Sequence, residues 1–292
     1  MMSHQSRRAT LLALAAVACW STVATAFKLT LRIVDPGSLL FIAAPVSTLV
    51  LGLALFTRRT PLRSLLDLQG LARSALAGFL NPFLYYLILF EAYDRLPGQE
   101  AQPLNYTWAI ALTLLSVLML RQRIRIASWL GIFVSFFGVL LLSTRGDLLG
   151  LRFGDPLGVG LALSSSVIWA LYWILNMKDS RAPVEKLFLG FFFGTIYVGV
   201  YAWLKGFAMM PPLAGLVGGI YVGVFEMGIT FLFWLAALEA SENTARISNL
   251  IFLSPFVSLL LLHFVAGEEI LVSSILGLVF IVVGIGIGRR WG

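Results

Sequence analysis

Residues 98–143 read GQEAQPLNYTWAIALTLLSVLML, then RQRIRI, then ASWLGIFVSFFGVLLLS: an amide-rich start, an apolar run, a basic turn and a second apolar run. Residues 244–289 repeat this plan, with GEEI as the turn and a glycine-spotted second run. At a constant shift of 146 positions, Leu104 falls on Leu250, Ile124 on Ile270, Ser128 on Ser274, Gly131 on Gly277 and Gly138 on Gly284. Five identities in one gapless register, both glycines among them, indicate an internal duplication. A duplication decides the architecture before anything else does.

The rest of the chain is equally apolar: 59% of its 292 residues are hydrophobic, 12% are charged, and the mean hydropathy is +0.92. Soluble domains carry about 25% charged residues, so this composition belongs to a lipid bilayer. The net charge of +7 is scattered over short connectors. Nucleic-acid binding needs a clustered basic face and is excluded as a function class. Cys19 is the single cysteine and lies in an apolar run, so no intramolecular disulfide and no cysteine metal site is expected. With only His4 and His263, no HExxH and no glycine phosphate loop, the expectation is no metal, no cofactor and no enzyme. Arg7-Arg8, an apolar run and Ala24-Thr25-Ala26 resemble a signal peptide. The run has spanning length and a counterpart in the second half, so it reads as a transmembrane helix.

Apolar runs of about 20 residues, the length that crosses a bilayer, fall at 9–29, 37–57, 71–92, 100–120, 126–144, 156–177, 185–205, 213–237, 245–266 and 270–288. The expected fold is therefore an all-α integral membrane protein of ten transmembrane helices. The duplicated stretch pairs helices 4 and 5 with 9 and 10, which divides the chain into repeats at 1–146 and 147–292. Ala18-Cys19-Trp20-Ser21 against Val167-Ile168-Trp169-Ala170, and Asp35-Pro36 against Ala182-Pro183, pair the earlier helices in the same order. Five helices per repeat is an odd number, so the second repeat inserts inverted. With the N-terminus inside, fifteen of the 21 basic residues fall on the inner side, and this bias predicts that both termini are cytoplasmic. Inverted repeats of this kind form a substrate site near the bilayer midplane and alternate its access by rocking.

Glu226 is the one acidic residue near the middle of a span. A charge at that depth costs about 3 kcal/mol on insertion scales and faces a cavity or a partner. It is read either as a substrate-amine contact or proton carrier, or as a neutral carboxyl hydrogen-bonded to a neighbouring helix. On helix 6, Ser165, Trp169, Tyr172, Trp173 and Asn176 share one face, and a polar, aromatic stripe has no use against lipid. Helix 3 carries Asn81-Pro82 near its middle, where proline frees a carbonyl and bends the helix, with Tyr85 on the face of Asn81. Helix 4 adds Gln102, Asn105 and Tyr106 on one face, with Trp108 pointing elsewhere; helix 9 adds Ser248 and Asn249. Across the repeat, Asn105-Tyr106-Thr107-Trp108 is answered by Ile251-Phe252-Leu253-Ser254, so the expected site is asymmetric. Its substrate-binding set is Trp20, Asn81, Tyr85, Asn105, Tyr106, Trp169, Tyr172 and Asn249, with Glu226 for an amine or a proton. Aromatic walls with a few amides suit a zwitterion bearing an apolar or aromatic side chain.

Ala18, Trp20 and Ser21 in helix 1, with Leu253-Ser254-Pro255 through Glu269, resemble the EamA-type branch of the drug/metabolite transporter superfamily. The stretch from Arg95 to Trp108 is similar to the aromatic amino-acid exporter subgroup, whose helix 4 opens on Asn-Tyr-x-Trp. Ala109 stands where that subgroup has proline, and the Arg121 to Arg125 run replaces the family's glutamate at the first-repeat turn. The resemblance implies a bacterial inner-membrane exporter of amino acids and related metabolites with a central cavity between repeats. The expected function is secondary transport of such small molecules by alternating access without ATP. A membrane scaffold, an intramembrane lipid-modifying enzyme, and a nucleotide-sugar or drug carrier stay open as alternatives. So does the choice between monomer and homodimer.

Overall fold

Each apolar run forms a helix, since a chain crossing lipid must satisfy its backbone hydrogen bonds within the segment. The computed structural model describes residues 4–57, 67–120, 126–150, 154–206, 211–241, 247 and 250–291. Among these residues ten helical segments follow one another: α1 His4–Leu31, α2 Pro36–Thr57, α3 Leu68–Arg95, α4 Gly98–Tyr106 continued by Trp108–Leu120, and α5 Ile126–Ser143. The second set is α6 Pro156–Met177, α7 Pro183–Lys205, α8 Leu213–Glu239, α9 Leu250–Phe264 and α10 Val272–Trp291. Helices α1, α2, α3, α6, α7 and α8 are each long and apolar enough to cross a membrane. Ser248, Asn249 and the basic residues at 58, 59, 63, 121, 123, 125, 152 and 246 lie outside the described residues.

Aspartates set where several helices begin. The Asp35, Asp67 and Asp155 carboxylates accept the backbone N–H of Ser38, Gly70 and Gly158 at 2.9, 2.7 and 2.9 Å, satisfying donors that the first helical turn leaves free. In the turn between α6 and α7, burial pushes the Asp179 carboxyl up, but hydrogen bonds from the Arg181 side chain and backbone outweigh it and hold the group below its ordinary value. Asp179 therefore supports this turn above the ordinary carboxylate range and stops doing so as pH falls below it.

Two helices are broken near the middle of their length. In α3, Asn81 takes an extended backbone (φ −146°, ψ 120°) before Pro82, and the Tyr85 N–H reaches back five residues to the Leu80 carbonyl. In α8 the Met227 N–H reaches the Val222 carbonyl, again five residues back, and Gly228 departs from helical geometry. The Thr230 hydroxyl donates to the carbonyl of Phe225 that this break frees. Only the α3 break has a proline to announce it.

Helices α5 and α10 cross in an isologous pattern. A Cβ on Gly138 would lie 2.6 Å from the Gly277 carbonyl oxygen, and one on Gly284 would strike that of Gly131. The shift of 146 maps each contact onto the other. Moving up one helix moves down its partner, so the two run antiparallel about a two-fold axis perpendicular to them. A second such pair joins the Gly78 position in α3 to Gly190 of α7, and Gly223 in α8 to Ala43 of α2. Thr48 and Thr195, related by a shift of 147, meet hydroxyl to hydroxyl at 2.8 Å. This is the packing of inverted repeats. Lipid supplies no hydrophobic drive between helices, so backbone approach through small residues carries the association. Gly138→Leu is expected to lower the thermal midpoint in detergent by overpacking, at a cost of about 1–3 kcal/mol. Gly160→Leu, with open space at its Cβ, is expected to leave the midpoint unchanged.

Candidate functional site

Between the two sets of helices lies a cavity of about 260 Å³. Helix α1 contributes Trp20 and Phe27 to its wall, α3 Tyr85 and Tyr93, α4 Gln102, Asn105, Tyr106 and Trp108, α6 Trp169 and Trp173, and α8 Glu226, Phe231 and Trp234. The rings brace one another. Trp20 meets Trp234 edge-on with centroids 5.4 Å apart and Phe231 at 6.2 Å. Trp169 meets Tyr85 at 4.7 Å with the rings tilted by 32°, and is backed by Tyr172 at 5.5 Å. Such contacts add about 0.5–1.5 kcal/mol each beyond area burial and keep the wall rigid.

Polar groups in the wall are held from behind. The Tyr85 hydroxyl donates to Asn105 Oδ1 at 3.2 Å, and Asn105 Nδ2 donates to Ser165 Oγ at 2.9 Å, so one amide ties α3 to α6. Tyr106 donates to Ser254 Oγ at 3.1 Å, joining α4 to α9. Glu226 sits at the α8 break with Oε1 accepting the Tyr86 hydroxyl at 3.1 Å. Its Oε2 is buried and has no partner among the described residues, and the same holds for Trp173 Nε1. Two residues of the wall thus each hold one buried polar atom still unsatisfied, an acceptor and a donor, and a buried polar group left unpaired costs about 1–3 kcal/mol. Among the lining residues there is one acid and no Lys, Arg or His.

Trp20, Tyr85, Asn105, Tyr106, Trp169 and Glu226 come together as the sequence predicts. Asn81 and Tyr172 stand behind the wall: Asn81 is fully buried in the α3 break beside Tyr172, and Tyr172 supports Trp169. Asn249 lies outside the described residues. Trp108 corrects the expectation that it points away. Thr107 interrupts α4 (ψ −3°), so a face drawn at 100° per residue does not carry across it, and Trp108 joins the lining. Phe231 and Trp234 were not legible. On an unbroken α8, Phe233 would share the Glu226 face; the wide turn adds a residue and gives that place to Trp234.

The end of the bundle away from the termini, here the distal end, is closed above Phe27 and Tyr93 by polar contacts. Lys28 Nζ donates to the Tyr93 and Leu96 carbonyls at 2.7 and 2.9 Å, and Arg32 to that of Ala266 at 2.6 Å. The Glu268 carboxylate accepts the backbone N–H of Gly98 at 2.7 Å and of Gln99 at 3.1 Å, capping the α4 N-terminus. Arg145 Nε pairs with the buried Glu100 at 2.8 Å. His263 bonds the Glu268 carbonyl at 2.8 Å.

The sequence model of the EamA-like transporter family matches twice, over residues 7–144 and 156–287. The aromatic amino acid exporter YddG of Ancylobacter novellus is 26% identical over 276 residues, covering 89% of each chain. Uncharacterized transporters of Archaeoglobus fulgidus and Clostridium kluyveri are 25% and 26% identical, covering 94% and 72% of this chain and 96% and 69% of their own. One crystal structure, 22% identical, superposes with a TM-score of 0.68 over 97% of this chain and 99% of its own, which shows the fold. A membrane bundle of ten helices whose family match falls once on each half of the chain is a member of the EamA-like transporter family.

Proposed function

We propose that this chain exports amino acids with aromatic or apolar side chains, and related small metabolites, by alternating access without ATP. The observation that carries the reading is Glu226, with one carboxylate oxygen unsatisfied, in the lining of a cavity walled by tryptophan, tyrosine and phenylalanine. A substrate ammonium pairs with Glu226 and lies over the rings in cation–π contact. The substrate carboxylate takes neutral donors, for which the Asn105 and Gln102 amides and Trp173 Nε1 are in the wall. The apolar side chain fills the remaining space. The YddG likeness supports this class of substrate. We place the protein in a bacterial inner membrane with both termini cytoplasmic, on the loop-charge bias, and assign the repeats to 1–146 and 147–292.

Rocking needs two halves that pivot and helices that bend. The two-fold crossings of α5 with α10 and of α2 with α7 supply the first, and the breaks in α3 and α8 the second. In this conformation the distal end is the closed one. Reconstituted liposomes test the reading: labelled phenylalanine or tryptophan is expected to move several-fold faster than in empty vesicles, without ATP. Equal rates would sink it.

One observation favours a second reading, a carrier of amine drugs. The lining has a carboxylate but no basic side chain, so a cationic aromatic amine without a carboxylate fits the same charges. Competition ranks the two: phenylalanine outcompeting phenethylamine supports amino-acid export, and the reverse order supports the amine carrier.

A further inference from the structure

At the end of the bundle that carries both termini, α3, α6 and α7 leave a second cavity, of about 230 Å³. Four basic side chains line it, Arg73, Lys178, Arg181 and Lys186, against one acid, Asp179. Two of the four are anchored. Arg181 pairs with Asp179 at 2.6 Å and donates to Ser74 Oγ at 2.9 Å; Lys186 Nζ donates to the carbonyls of Asn176 and Asp179 at 3.1 and 2.8 Å. The side chains of Arg73 and Lys178 are exposed and make no hydrogen bond or ion pair among the described residues. Four cations around one carboxylate leave a local excess of positive charge, which an anion between the two unanchored side chains offsets.

The floor of the same cavity is apolar. Leu76, Ala77 and Leu175 lie about one turn further into the bundle than the charges, and Leu76 is 52% exposed on its outer surface. A ligand that satisfies both levels carries an anionic group at the helix ends and a hydrocarbon chain running into the membrane. Basic pockets between transmembrane helices on the cytoplasmic side are suited to such head groups. We infer that this cavity seats the phosphate of an anionic membrane phospholipid between Arg73 and Lys178, with an acyl chain along Leu76 and Leu175. Arg181 and Lys186, fixed by their own bonds, set the width of the seat. A free phosphate ion would meet the charges and leave the apolar floor unused. The inference does not depend on what the central cavity carries.

Titration of the detergent-solubilised full chain with phosphatidylglycerol, followed by native mass spectrometry, tests it. Phosphatidylglycerol adducts are expected on the wild-type protein and are expected to fall about ten- to thirtyfold in the double variant R73Q/K178Q, with phosphatidylcholine retained by neither. Both positions are exposed, so the variant is expected to keep the wild-type thermal midpoint without added lipid. The single variants R73Q and K178Q are expected to show intermediate losses. Equal phosphatidylglycerol retention by wild type and double variant would overturn the site. Retention of phosphatidylcholine at the level of phosphatidylglycerol would overturn its charge basis. Displacement of the lipid by equimolar inorganic phosphate would overturn the lipid as occupant.

Discussion

Glutamine in place of Glu226 is expected to slow transport of amine-bearing substrates about ten- to a hundredfold, since a hydrogen bond to a charged group contributes about 1.5–3 kcal/mol. The substitution keeps the shape and can keep the bond to Tyr86, so the α8 break and the fold survive it. What it removes is the buried oxygen that can carry a negative charge toward the substrate. If the same carboxylate exchanges an ammonium for a proton, the variant also loses its response to an imposed pH gradient. Tyr86→Phe isolates the neighbour: it removes one donor, leaves the charge, and is expected to cost only about 1 kcal/mol, or some fivefold. Counterflow of labelled phenylalanine in liposomes reads both variants. A Glu226→Gln protein with wild-type rate and wild-type pH-gradient response would exclude the carboxylate from substrate contact and from coupling alike. It would leave Glu226 as a structural partner of Tyr86.

What could be read in advance follows from which signals are periodic. The apolar runs and the 146-residue register are long, repeated patterns, and they predicted the ten helices; the same register carries the Gly138 contact of α5 with α10 onto that of Gly284. Six of the nine predicted site side chains meet in one cavity, because within a single helical segment residues three and four apart share a face. The misreadings of Trp108 and Trp234 sit where a helix is interrupted. Thr107 and the turn at 222–228 shift the projection by a fraction of a turn, so Trp108 was turned away and Trp234 passed over. Gly228 lies where the repeat places the α3 break, and that correspondence was the available clue. The distal closure was unreadable for another reason: Glu268 meets Gly98 across 170 positions, and no local pattern pairs them.

That closure yields the second large effect. The two oxygens of Glu268 hold the first two N–H groups of α4, and the carboxylate stands at the positive end of the helix dipole. Position 122, which the shift of 146 sets opposite Glu268, is glutamine, so the other repeat turn has no carboxylate to offer there. The charged cap at the distal end favours the conformation in which that end is closed. Glu268→Ala is expected to weaken the distal closure by about 1–2 kcal/mol, the worth of a lost N-terminal cap. The fraction open at that end then rises about five- to thirtyfold. Leu89 lies in the cavity wall and is 3% exposed, so Leu89→Cys in a Cys19→Ser background reports the opening. Its labelling by an impermeant thiol reagent applied at the distal side is expected to accelerate by that factor when Glu268→Ala is added. Glu268→Gln, which keeps one acceptor and loses the charge, is expected to fall between. Thermal midpoints measured alongside separate opening from unfolding, because the cap lies at a gate and a shift of access leaves the glycine crossings of α5 and α10 intact. Unchanged labelling in Glu268→Ala would mean that the lysine, arginine and amide contacts close the distal end without it, and that the asymmetry between the two turns does not set the resting state.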